Sequence, residues 1–210
     1  MLLRNEPGRI VIISSPSGGG KTSICRRLLS PARRRQGWVF SISYTTRAPR
    51  RGERDGREYC FVEQREFARL VRSDFFAEHF KVHLYEYGTP RKPIENVRRH
   101  GGVMVLDVDV QGARRLKQEY ADAISIFVLP PSQAELRRRL KRRGTETSEQ
   151  LKLRLSNALK EMQTFRKFGF DYIVINNQLS EAVRKVLSIV HAHPSRIDRV
   201  DPEQVRRITG

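Results

Sequence analysis

The feature that most constrains the fold of this 210-residue chain is a glycine-rich turn between an apolar run and a segment with helical period. The run is Ile10–Ser14, the turn reads Ser-Pro-Ser-Gly-Gly-Gly over residues 15–20, and Lys21 and Thr22 begin the helical segment. This order of strand, loop and helix is typical of a P-loop, G-x-x-x-x-G-K-[ST], with Ser15 in place of the first glycine. The pattern predicts binding of nucleotide phosphates.

The residues of the predicted P-loop have chemical reasons to touch a nucleoside triphosphate. Glycines let the backbone turn its amides inward around a phosphate, and the N-terminus of the following helix adds positive potential. Lys21 would reach the β- and γ-phosphates, and Thr22 offers a hydroxyl to the Mg²⁺ that bridges them. The predicted contacts to ATP from this segment are Ser15, Pro16, Ser17, Gly18, Gly19, Gly20, Lys21 and Thr22.

Apolar, β-branched runs predict five strands that are buried on both faces of a sheet. They are Ile10–Ser14, Val39–Ser43, Val103–Val108, Ile124–Leu129 and Tyr172–Asn176. Helical periodicity predicts helices at Lys21–Leu29, Ser132–Arg143, Thr147–Phe168 and Glu181–His191, two of which begin with capping boxes, Ser132-x-x-Glu135 and Thr147-x-x-Gln150. Alternating strands and helices predict an α/β fold: a P-loop-type parallel sheet core with helices on both faces.

The stretch 44–102 interrupts this alternation, because it is rich in Arg, Pro, Gly and Tyr and shows only short strand-like or helical pieces. We therefore expect a core of 1–42, 103–134 and 171–193 with two insertions. The first, 43–102, would be an acceptor-binding subdomain, and the second, 135–170, a helical lid. Residues 194–210 are expected to be a loose basic tail.

Composition limits the kinds of partner and the cellular location that can be expected for this chain. Lys and Arg number 41 against 23 Asp and Glu, a net charge of +18 that favours polyanionic partners. The basic residues are spread along the chain and accompany no recognition-helix or stacking motif, so nucleic acid is an unlikely partner. No apolar run exceeds four residues, which predicts no membrane span, and the charged N-terminal segment and two isolated cysteines predict a cytoplasmic protein.

The insertion 43–102 contains residues suited to a nucleoside monophosphate. Arg47 and Arg50 lie three residues apart beside hydroxyl side chains, and the planar guanidinium grips phosphate with two hydrogen bonds. Glu78 is a carboxylate that can accept N–H donors from the edge of a base, and Tyr59, Tyr87 and Thr89 add further donors and acceptors. This combination predicts a mononucleotide acceptor site.

Several blocks resemble guanylate kinase, from about residue 8 to about residue 192. Besides the P-loop they are Ser43-Tyr-Thr-Thr-Arg-Ala-Pro-Arg50, Gly52-Glu-Arg-Asp-Gly56, Tyr87-Gly-Thr-Pro90, Leu106-Asp-Val-Asp-Val-Gln-Gly112 and Arg143-Gly-Thr-Glu146. The resemblance implies Mg²⁺-dependent transfer of the γ-phosphoryl group of ATP to GMP, and to dGMP, by a monomer or homodimer.

The same resemblance implies roles for individual residues. Ser43, Arg47, Arg50 and Tyr87 would hold the GMP phosphate, with a further hydroxyl from Tyr59. Glu78, Thr89 and Asp109 would read the guanine, Asp107 would lie near Mg²⁺, and Asn176 near the adenine. Arg143 and Arg154 would reach the transferring phosphoryl group from the lid, so that the catalytic set is Lys21, Arg47, Arg143 and Arg154.

Other interpretations stay open at this point. A guanylate-kinase-like module without catalysis could grip phosphopeptides through the same arginines, and a related P-loop kinase could use another phosphorylated acceptor.

The positions of several single residues can also be predicted. Glu86, beside the expected phosphate pocket, is expected to point outward, and Ser15 to be tolerated in the loop. We expect Arg137–Arg139 and Arg142 to be solvated lid charge, Glu161 to be a surface residue, and Trp38 to pack near the second strand. On the long helix, Lys152, Arg154, Lys160 and Arg166 are expected to face outward.

Overall fold

The computed structural model describes residues 7–50, 52–82, 84–142 and 148–196, together with residues 200, 203 and 206. In chain order its helices and strands are β1 (Arg9–Ser14), α1 (Lys21–Leu28), α2 (Pro31–Arg35), β2 (Trp38–Phe40), β3 (Tyr44–Thr45), β4 (Cys60–Phe61), α3 (Gln64–Arg72), β5 (Phe76–Val82), β6 (Tyr85–Pro90), α4 (Arg91–His100), β7 (Val103–Asp107), α5 (Val110–Glu119), β8 (Ile124–Leu129), α6 (Gln133–Arg142), α7 (Ser148–Thr164), β9 (Tyr172–Ile175) and α8 (Leu179–Ala192). Short 3₁₀ helices follow α7 at Phe165–Phe168 and α8 at His193–Ser195.

The central sheet is parallel, in the order β2-β7-β1-β8-β9, with helices on both faces. Its strands are the five that the apolar runs predict, with ends that differ by at most three residues, so the predicted fold class is confirmed. Ile10–Ile13 are buried along their whole length because alternate side chains enter two separate apolar clusters, one on each face of the sheet. Trp38 is buried in the first of these clusters, as expected.

The position of β1 between β7 and β8 determines where ligands can bind. Ile13 is opposite Asp107 of β7 on one side and Ile126 of β8 on the other. The turn after β1 and the acidic segment after β7 therefore open at the same edge of the sheet. In open α/β sheets, ligands bind outside the carboxyl ends of the strands, where the strand order reverses.

The insertion contains a second sheet, in the order β4-β3-β6-β5, packed against α3. Its centre is formed by Phe67, Leu70 and Phe76. The expectation of short pieces only was wrong here, because α3 has nine residues and β5 has seven. In β5 the polar Glu78 and His79 lie at the centre of the strand and interrupt the alternation of apolar and polar side chains that predicts a strand.

Two helices that the sequence analysis did not predict complete the core. Ile94 and Val97 of α4 pack in the same cluster as Leu116 of α5. Helix α5 was missed because Gly112 and Ala113 supply much of its buried face and contribute little apolar signal. We propose that the acceptor-binding insertion ends before α4 and not at residue 102.

The lid begins as the capping box predicts. The Glu135 backbone N–H donates to Ser132 Oγ at 3.1 Å, at the start of α6. The Glu135 side chain does not complete the box, since its carboxylate pairs with Arg139 and Arg138. The second predicted cap, Thr147, lies outside the described residues. None of the described helices is both long enough and apolar enough to span a membrane.

A half-buried carboxylate joins β8 to the segment that enters β9. Asp171 Oδ2 accepts hydrogen bonds from the Ser125 backbone N–H, the Ser125 hydroxyl and Lys117 Nζ, each at 2.8 Å. Burial alone would raise the pKa of Asp171, but these hydrogen bonds outweigh it and lower the pKa. Asp171 is therefore charged at neutral pH and holds two elements of the core together.

Replacing Asp171 tests how much its carboxylate contributes to the stability of the fold. Asp171→Ala leaves the Ser125 and Lys117 donors without their acceptor, and we expect a loss of about 2–3 kcal/mol in the free energy of unfolding at pH 7. Urea unfolding followed by circular dichroism measures this loss. Asp122→Ala, which removes an exposed ion pair with Arg98, is the control and should change stability by less than about 1 kcal/mol. Equal effects of the two variants would contradict the role of Asp171.

Candidate active site

The turn between β1 and α1 has the backbone conformation of an anion-binding loop. Gly18 and Gly20 adopt left-handed φ angles of +84° and +97°, which side chains other than that of glycine rarely allow. The Gly19 N–H closes the turn onto the Pro16 carbonyl at 2.8 Å. The turn leads directly into the N-terminus of α1 at Lys21. This geometry fits a phosphate.

Ser15 fits the loop without strain. Among the described residues only Asp74 combines a side chain with a positive φ, so the backbone at Ser15 does not require glycine. Its hydroxyl is buried and donates to the Pro16 carbonyl at 3.0 Å. A Cβ atom at Gly19 would lie 2.8 Å from the Ser15 Cβ, so the two residues pack closely. The expected tolerance of Ser15 agrees with this geometry.

Asp107 connects the P-loop to β7. Lys21 Nζ lies 2.9 Å from Asp107 Oδ1 and donates to the Val108 carbonyl, also at 2.9 Å. Thr22 Oγ1 donates to Asp107 Oδ2 at 2.9 Å. Burial disfavours the charge on Lys21, but attraction by Asp107 outweighs it and raises the pKa of the ammonium group. Lys21 is thus a cation fixed at the carboxyl edge of the sheet.

The same group offers oxygen ligands suited to Mg²⁺. The Thr22 hydroxyl and the Asp107 carboxylate are hard donors within hydrogen-bond distance of one another. The described residues hold no cluster of three or more His, Cys, Asp or Glu side chains that could bind a metal ion by themselves. Mg²⁺ typically takes only one or two protein ligands and completes its shell with phosphates and water. The donor set therefore fits Mg²⁺ bound together with a nucleotide.

Arg47 is buried and held in place by an acidic partner. Its Nη2 lies 3.1 and 3.0 Å from the two carboxylate oxygens of Glu53, and Nη1 donates to the Ala48 carbonyl at 2.7 Å. The guanidinium carbon lies 5.6 Å from the centroid of the Tyr59 ring. Burial opposes its charge, but hydrogen bonds with Glu53 and Tyr87 outweigh it and raise the pKa. The Arg50 side chain is exposed, and its backbone joins this group: the N–H donates to Glu53 Oε2 at 2.8 Å and the carbonyl accepts from the Glu53 N–H at 3.0 Å.

The predicted guanine-reading residues meet in a buried polar pocket. Thr89 Oγ1 donates to Glu78 Oε1 at 2.5 Å and lies 3.5 Å from Ser43 Oγ. Glu78 Oε2 is buried and has no hydrogen-bond partner in the described structure. Burial raises the pKa of Glu78 to about 7, and the Asp109 charge adds to the shift. A buried acceptor without a donor is what a ligand with two adjacent N–H groups would satisfy.

Asp109 caps the helix beside this pocket. Its Oδ1 accepts from the Gly112 backbone N–H at 2.8 Å at the start of α5, and burial raises its pKa. Its charge acts on both Lys21 and Glu78. Asp109 is therefore near enough to both the P-loop cation and the Glu78 pocket to act on each electrostatically.

Glu86 faces away from this pocket. Tyr87 is opposite Phe80 and Thr89 is opposite Glu78, whereas Glu86 is opposite Lys81. Successive residues of a strand alternate between faces, so Glu86 and Tyr87 lie on opposite faces of β6. The expected outward position of Glu86 agrees with this register.

Asn176 and Arg139 bind the backbone of the P-loop at the Gly19 carbonyl. Asn176 is buried, and its Nδ2 donates to the Gly19 carbonyl at 3.0 Å. Arg139 of α6 lies 3.4 Å from the same carbonyl and donates to the Asn176 carbonyl at 2.8 Å. The expectation that Arg139 is solvated charge was therefore wrong, because its guanidinium satisfies backbone carbonyls. Its neighbours Arg137, Arg138 and Arg142 are exposed, as expected.

The lid contributes two half-buried charged residues on α7. Arg154, expected on the outward face, is half-buried, whereas Lys152, Lys160 and Arg166 are exposed as expected. The surface position expected for Glu161 was wrong: it is half-buried, and the charges of Lys21 and Asp109 act on it. Arg143 lies outside the described residues.

Comparison with known proteins decides the family. The family model described as Guanylate kinase matches residues 7–193. A guanylate kinase of Clostridium tetani is 40% identical over 93% of this chain and 91% of its own length. One of Geobacter sulfurreducens is 42% identical over 92% and 93%. The chain belongs to the guanylate kinase family.

A solved structure extends the likeness to three dimensions. The crystal structure of guanylate kinase from Anaplasma phagocytophilum matches with a TM-score of 0.76 and 31% identity, over 95% of this chain and 93% of that one. The fold described above is thus shared with a guanylate kinase of known structure.

Sequence reasoning on this guanylate kinase family member missed three residues of the site. Glu53 pairs with Arg47, and it stood within a quoted motif without a role. Arg139 lies against the P-loop and the charge of Lys21 acts on Glu161. In the sequence, Arg139 is one of many basic residues of the predicted lid and Glu161 is one of four acidic ones. For Glu161 a signal existed, because it is seven residues after Arg154 and so on the same face of a helix.

The pKa of Glu78 leads to a stability prediction. Because the folded protein binds this proton more readily than the unfolded chain, Glu78 lowers stability as the pH rises from about 4.5 to about 7. Glu78→Gln is neutral at every pH. We expect it to be more stable than the wild type by about 1–3 kcal/mol at pH 8 and to lose this advantage towards pH 5.

Thermal and urea unfolding between pH 5 and pH 8 measure this difference. The control is Glu66→Gln, since a hydrogen bond from Arg69 lowers the pKa of Glu66 and it stays ionised over this range. A wild type as stable as Glu78→Gln at pH 8 would contradict the burial cost assigned to Glu78.

Proposed function

We propose that the chain transfers the γ-phosphoryl group of ATP to GMP, and to dGMP, giving ADP and GDP or dGDP in purine nucleotide metabolism. The observation that carries this proposal is the shared position of two sites at one edge of the sheet. The Lys21, Thr22 and Asp107 group serves a triphosphate, and the buried Glu78 pocket serves a purine base. Asp109 acts electrostatically on both, which supports their use in one reaction.

The acceptor site has the chemistry that GMP requires. The ionised Glu78 carboxylate would accept the N1–H and the 2-amino group of guanine, with Thr89 and Ser43 offering hydroxyls beside it. Asp109 would read the same base from the start of α5. A buried carboxylate left unpaired by the wrong base costs free energy, which gives strong selection against adenine.

Arg47 would grip the GMP phosphate together with Tyr59 and Tyr87, which lie against it. In the absence of GMP its charge is met by Glu53. We assign Arg50 to the same phosphate from the rim, since its side chain is exposed and its backbone is tied to Glu53. Ser43 would add a hydroxyl where the phosphate and base sites meet.

The transfer itself needs alignment and positive charge more than covalent chemistry. A phosphate oxygen of GMP attacks the γ-phosphorus, the bond from that phosphorus to the β–γ bridging oxygen breaks, and ADP leaves. Lys21 and the P-loop amides would hold the β- and γ-phosphates, and Thr22 and Asp107 would hold Mg²⁺. When bound, Mg²⁺ supplies charge neutralisation on those phosphates. Asn176 would lie near the adenine, and Arg143 and Arg154 would approach the moving phosphoryl group from the lid.

A module that only binds phosphorylated partners would not need the ATP side of this site. The paired Lys21, Asp107 and Thr22 favour catalysis over that alternative. We further place the enzyme in the cytoplasm, where its two nucleotides are available and its cysteines, Cys25 and Cys60, remain free thiols as they are here.

The experiment that tests the proposal follows ADP formation from ATP and Mg²⁺ with GMP, dGMP, AMP, UMP or no acceptor. We expect turnover with GMP and dGMP, and rates near the background with AMP, UMP and no acceptor. Binding of GMP without turnover would favour the binding module. Turnover with a different acceptor only would favour a related kinase.

Glu78→Gln should change the acceptor that is used. A glutamine side chain has one acceptor and one donor, so it matches the N1–H and the 2-carbonyl of xanthine in place of the two donors of guanine. We expect kcat/KM to fall by about 10³-fold or more for GMP and to rise for xanthosine monophosphate. Parallel loss for both acceptors, in a variant that remains folded, would argue against Glu78 as the base-reading group.

Substitutions of Lys21 and Arg47 should affect different kinetic constants, because the two residues are assigned to different substrates. Lys21→Ala is expected to lower kcat by about 10³-fold or more with the fold retained, because it removes charge stabilisation at the transferring group. Arg47→Ala is expected chiefly to raise the KM for GMP, by about 10- to 100-fold. Steady-state kinetics with each substrate varied make the distinction.

The control is Arg57→Ala, which removes an exposed arginine from the same insertion and should leave both constants unchanged. Near-normal kcat in Lys21→Ala would overturn the proposed mechanism.

A further inference from the structure

Strand β5 contains an irregularity directly before Glu78. Phe76 is opposite Pro90 of β6. The next pair is Glu78 with Thr89, so β5 has one residue more than β6 over this stretch. Such a β-bulge re-orients the side chains that follow it. Here it sets Glu78 opposite Thr89, whose hydroxyl donates to Glu78 Oε1 at 2.5 Å.

An arginine binds the backbone at this bulge. Pro90 has no N–H to donate to the opposite strand. The next residue, Arg91, donates from its backbone N–H to the Phe75 carbonyl and from Nη2 to the Phe76 carbonyl, each at 3.0 Å. The Phe76 carbonyl, at the start of the bulge, therefore accepts from a side chain.

The same guanidinium is bound to the core. Its Nη1 donates to the carboxylate of Glu119, at the end of α5, and its Nη2 lies 3.4 Å from Asp74 Oδ1, in the turn before β5. Burial opposes the charge on Arg91, but attraction by Glu119 outweighs it and raises the pKa. Arg91 thus connects the bulge of the insertion to helix α5.

Helix α5 also contacts β5 beyond Glu78. Arg115 donates to the carbonyl of His79, the residue that follows Glu78. A Cβ atom at Gly112 would lie 2.8 Å from the Phe80 ring and 3.3 Å from Glu78 Oε2. The backbone of β5 is therefore bound by arginines of α4 and α5 on both sides of Glu78, and the carboxylate lies close to the start of α5.

We propose that Arg91 is a positioning residue for acceptor selectivity: by holding the bulge of β5 against α5, its guanidinium orients the Glu78 carboxylate towards the base. Arg91 does not contact the base in this role. The proposal rests on the proposed function, because it concerns how the same acceptor site selects guanine. None of the roles assigned above uses Arg91.

The choice of acceptor tests this role. Inosine monophosphate has the N1–H of guanine but lacks its 2-amino group, so the preference for GMP depends on the orientation of Glu78. In Arg91→Ala we expect the ratio of kcat/KM for GMP to kcat/KM for inosine monophosphate to fall by about 10-fold, with the KM for ATP within about twofold of the wild type. A smaller amount of folded enzyme would lower both activities equally and leave this ratio unchanged.

Two further variants make the comparison specific. Arg91→Lys keeps the cation, but a single nitrogen replaces the two that bind the Phe76 carbonyl and Glu119, so the ratio should fall by less than in Arg91→Ala. The matched control is Arg99→Ala, which removes an exposed arginine of the same helix that donates to Asn96. This control should keep the wild-type ratio.

A measurement without nucleotide tests the contact itself. Hydrogen exchange of the ligand-free protein, followed by mass spectrometry, should be faster over Phe76–Val82 in Arg91→Ala than in the wild type and in Arg99→Ala, because the bulge loses its restraint. This readout needs neither ATP nor GMP, so it separates failure of the contact from failure of the proposed function.

Three results would overturn the proposal. Unchanged exchange over β5 in Arg91→Ala would show that the guanidinium does not hold the bulge. Faster exchange with an unchanged ratio of acceptors would show that the bulge does not orient Glu78. An equal fall of the ratio in Arg99→Ala would show that the effect does not depend on the contacts of Arg91.

Discussion

The ion pair between Lys21 and Asp107 is the interaction on which the rest of the site depends. It joins the first residue of α1 to the last residue of β7, and the Thr22 hydroxyl binds the other oxygen of the same carboxylate. Parallel pairing of β1 with β7 makes this possible, because it sets Ile13 opposite Asp107 at the edge where both strands end. The backbone of the sheet thus fixes the position of the Lys21 cation.

In the acceptor pocket, by contrast, the residue proposed to recognise the substrate lowers the stability of the folded protein. Glu78 is buried with one oxygen unpaired, and its raised pKa measures how poorly the folded protein solvates that charge. A neutral side chain would suit the fold better, but it could not accept two N–H groups from guanine. Under the proposed function, guanine would supply the missing donor to this carboxylate, so selectivity and instability would arise from the same residue.

Sequence predicts the parts of this molecule that depend on local pattern. The P-loop, the five core strands and the cap at Ser132 are all encoded in short stretches whose physical meaning does not depend on distant residues. Helix α5 was missed because Gly112 and Ala113 bury surface without an apolar signal. Arg139 and Glu161 were missed for another reason: their partners lie on the P-loop, which for Arg139 and Gly19 means 120 residues away. Only tertiary packing distinguishes these side chains from their solvated neighbours.

Several basic residues of the chain bind partners within the fold. Arg33 and Arg34 donate to the carbonyls at the end of α1, which are otherwise unpaired. Three cations at the site are paired with carboxylates: Lys21 with Asp107, Arg47 with Glu53 and Arg139 with Glu135.

Under the proposed function, phosphates would meet Lys21 and Arg47 as cations that already have acidic partners. The carboxylates hold both cations in place, which avoids the cost of an unpaired buried charge. Phosphate oxygens would then either share these cations with the carboxylates or displace them, and displacement would subtract part of the attraction between nucleotide and protein. The proposed transfer would thus combine a fixed geometry with moderated affinity, which suits an enzyme that must release two charged products.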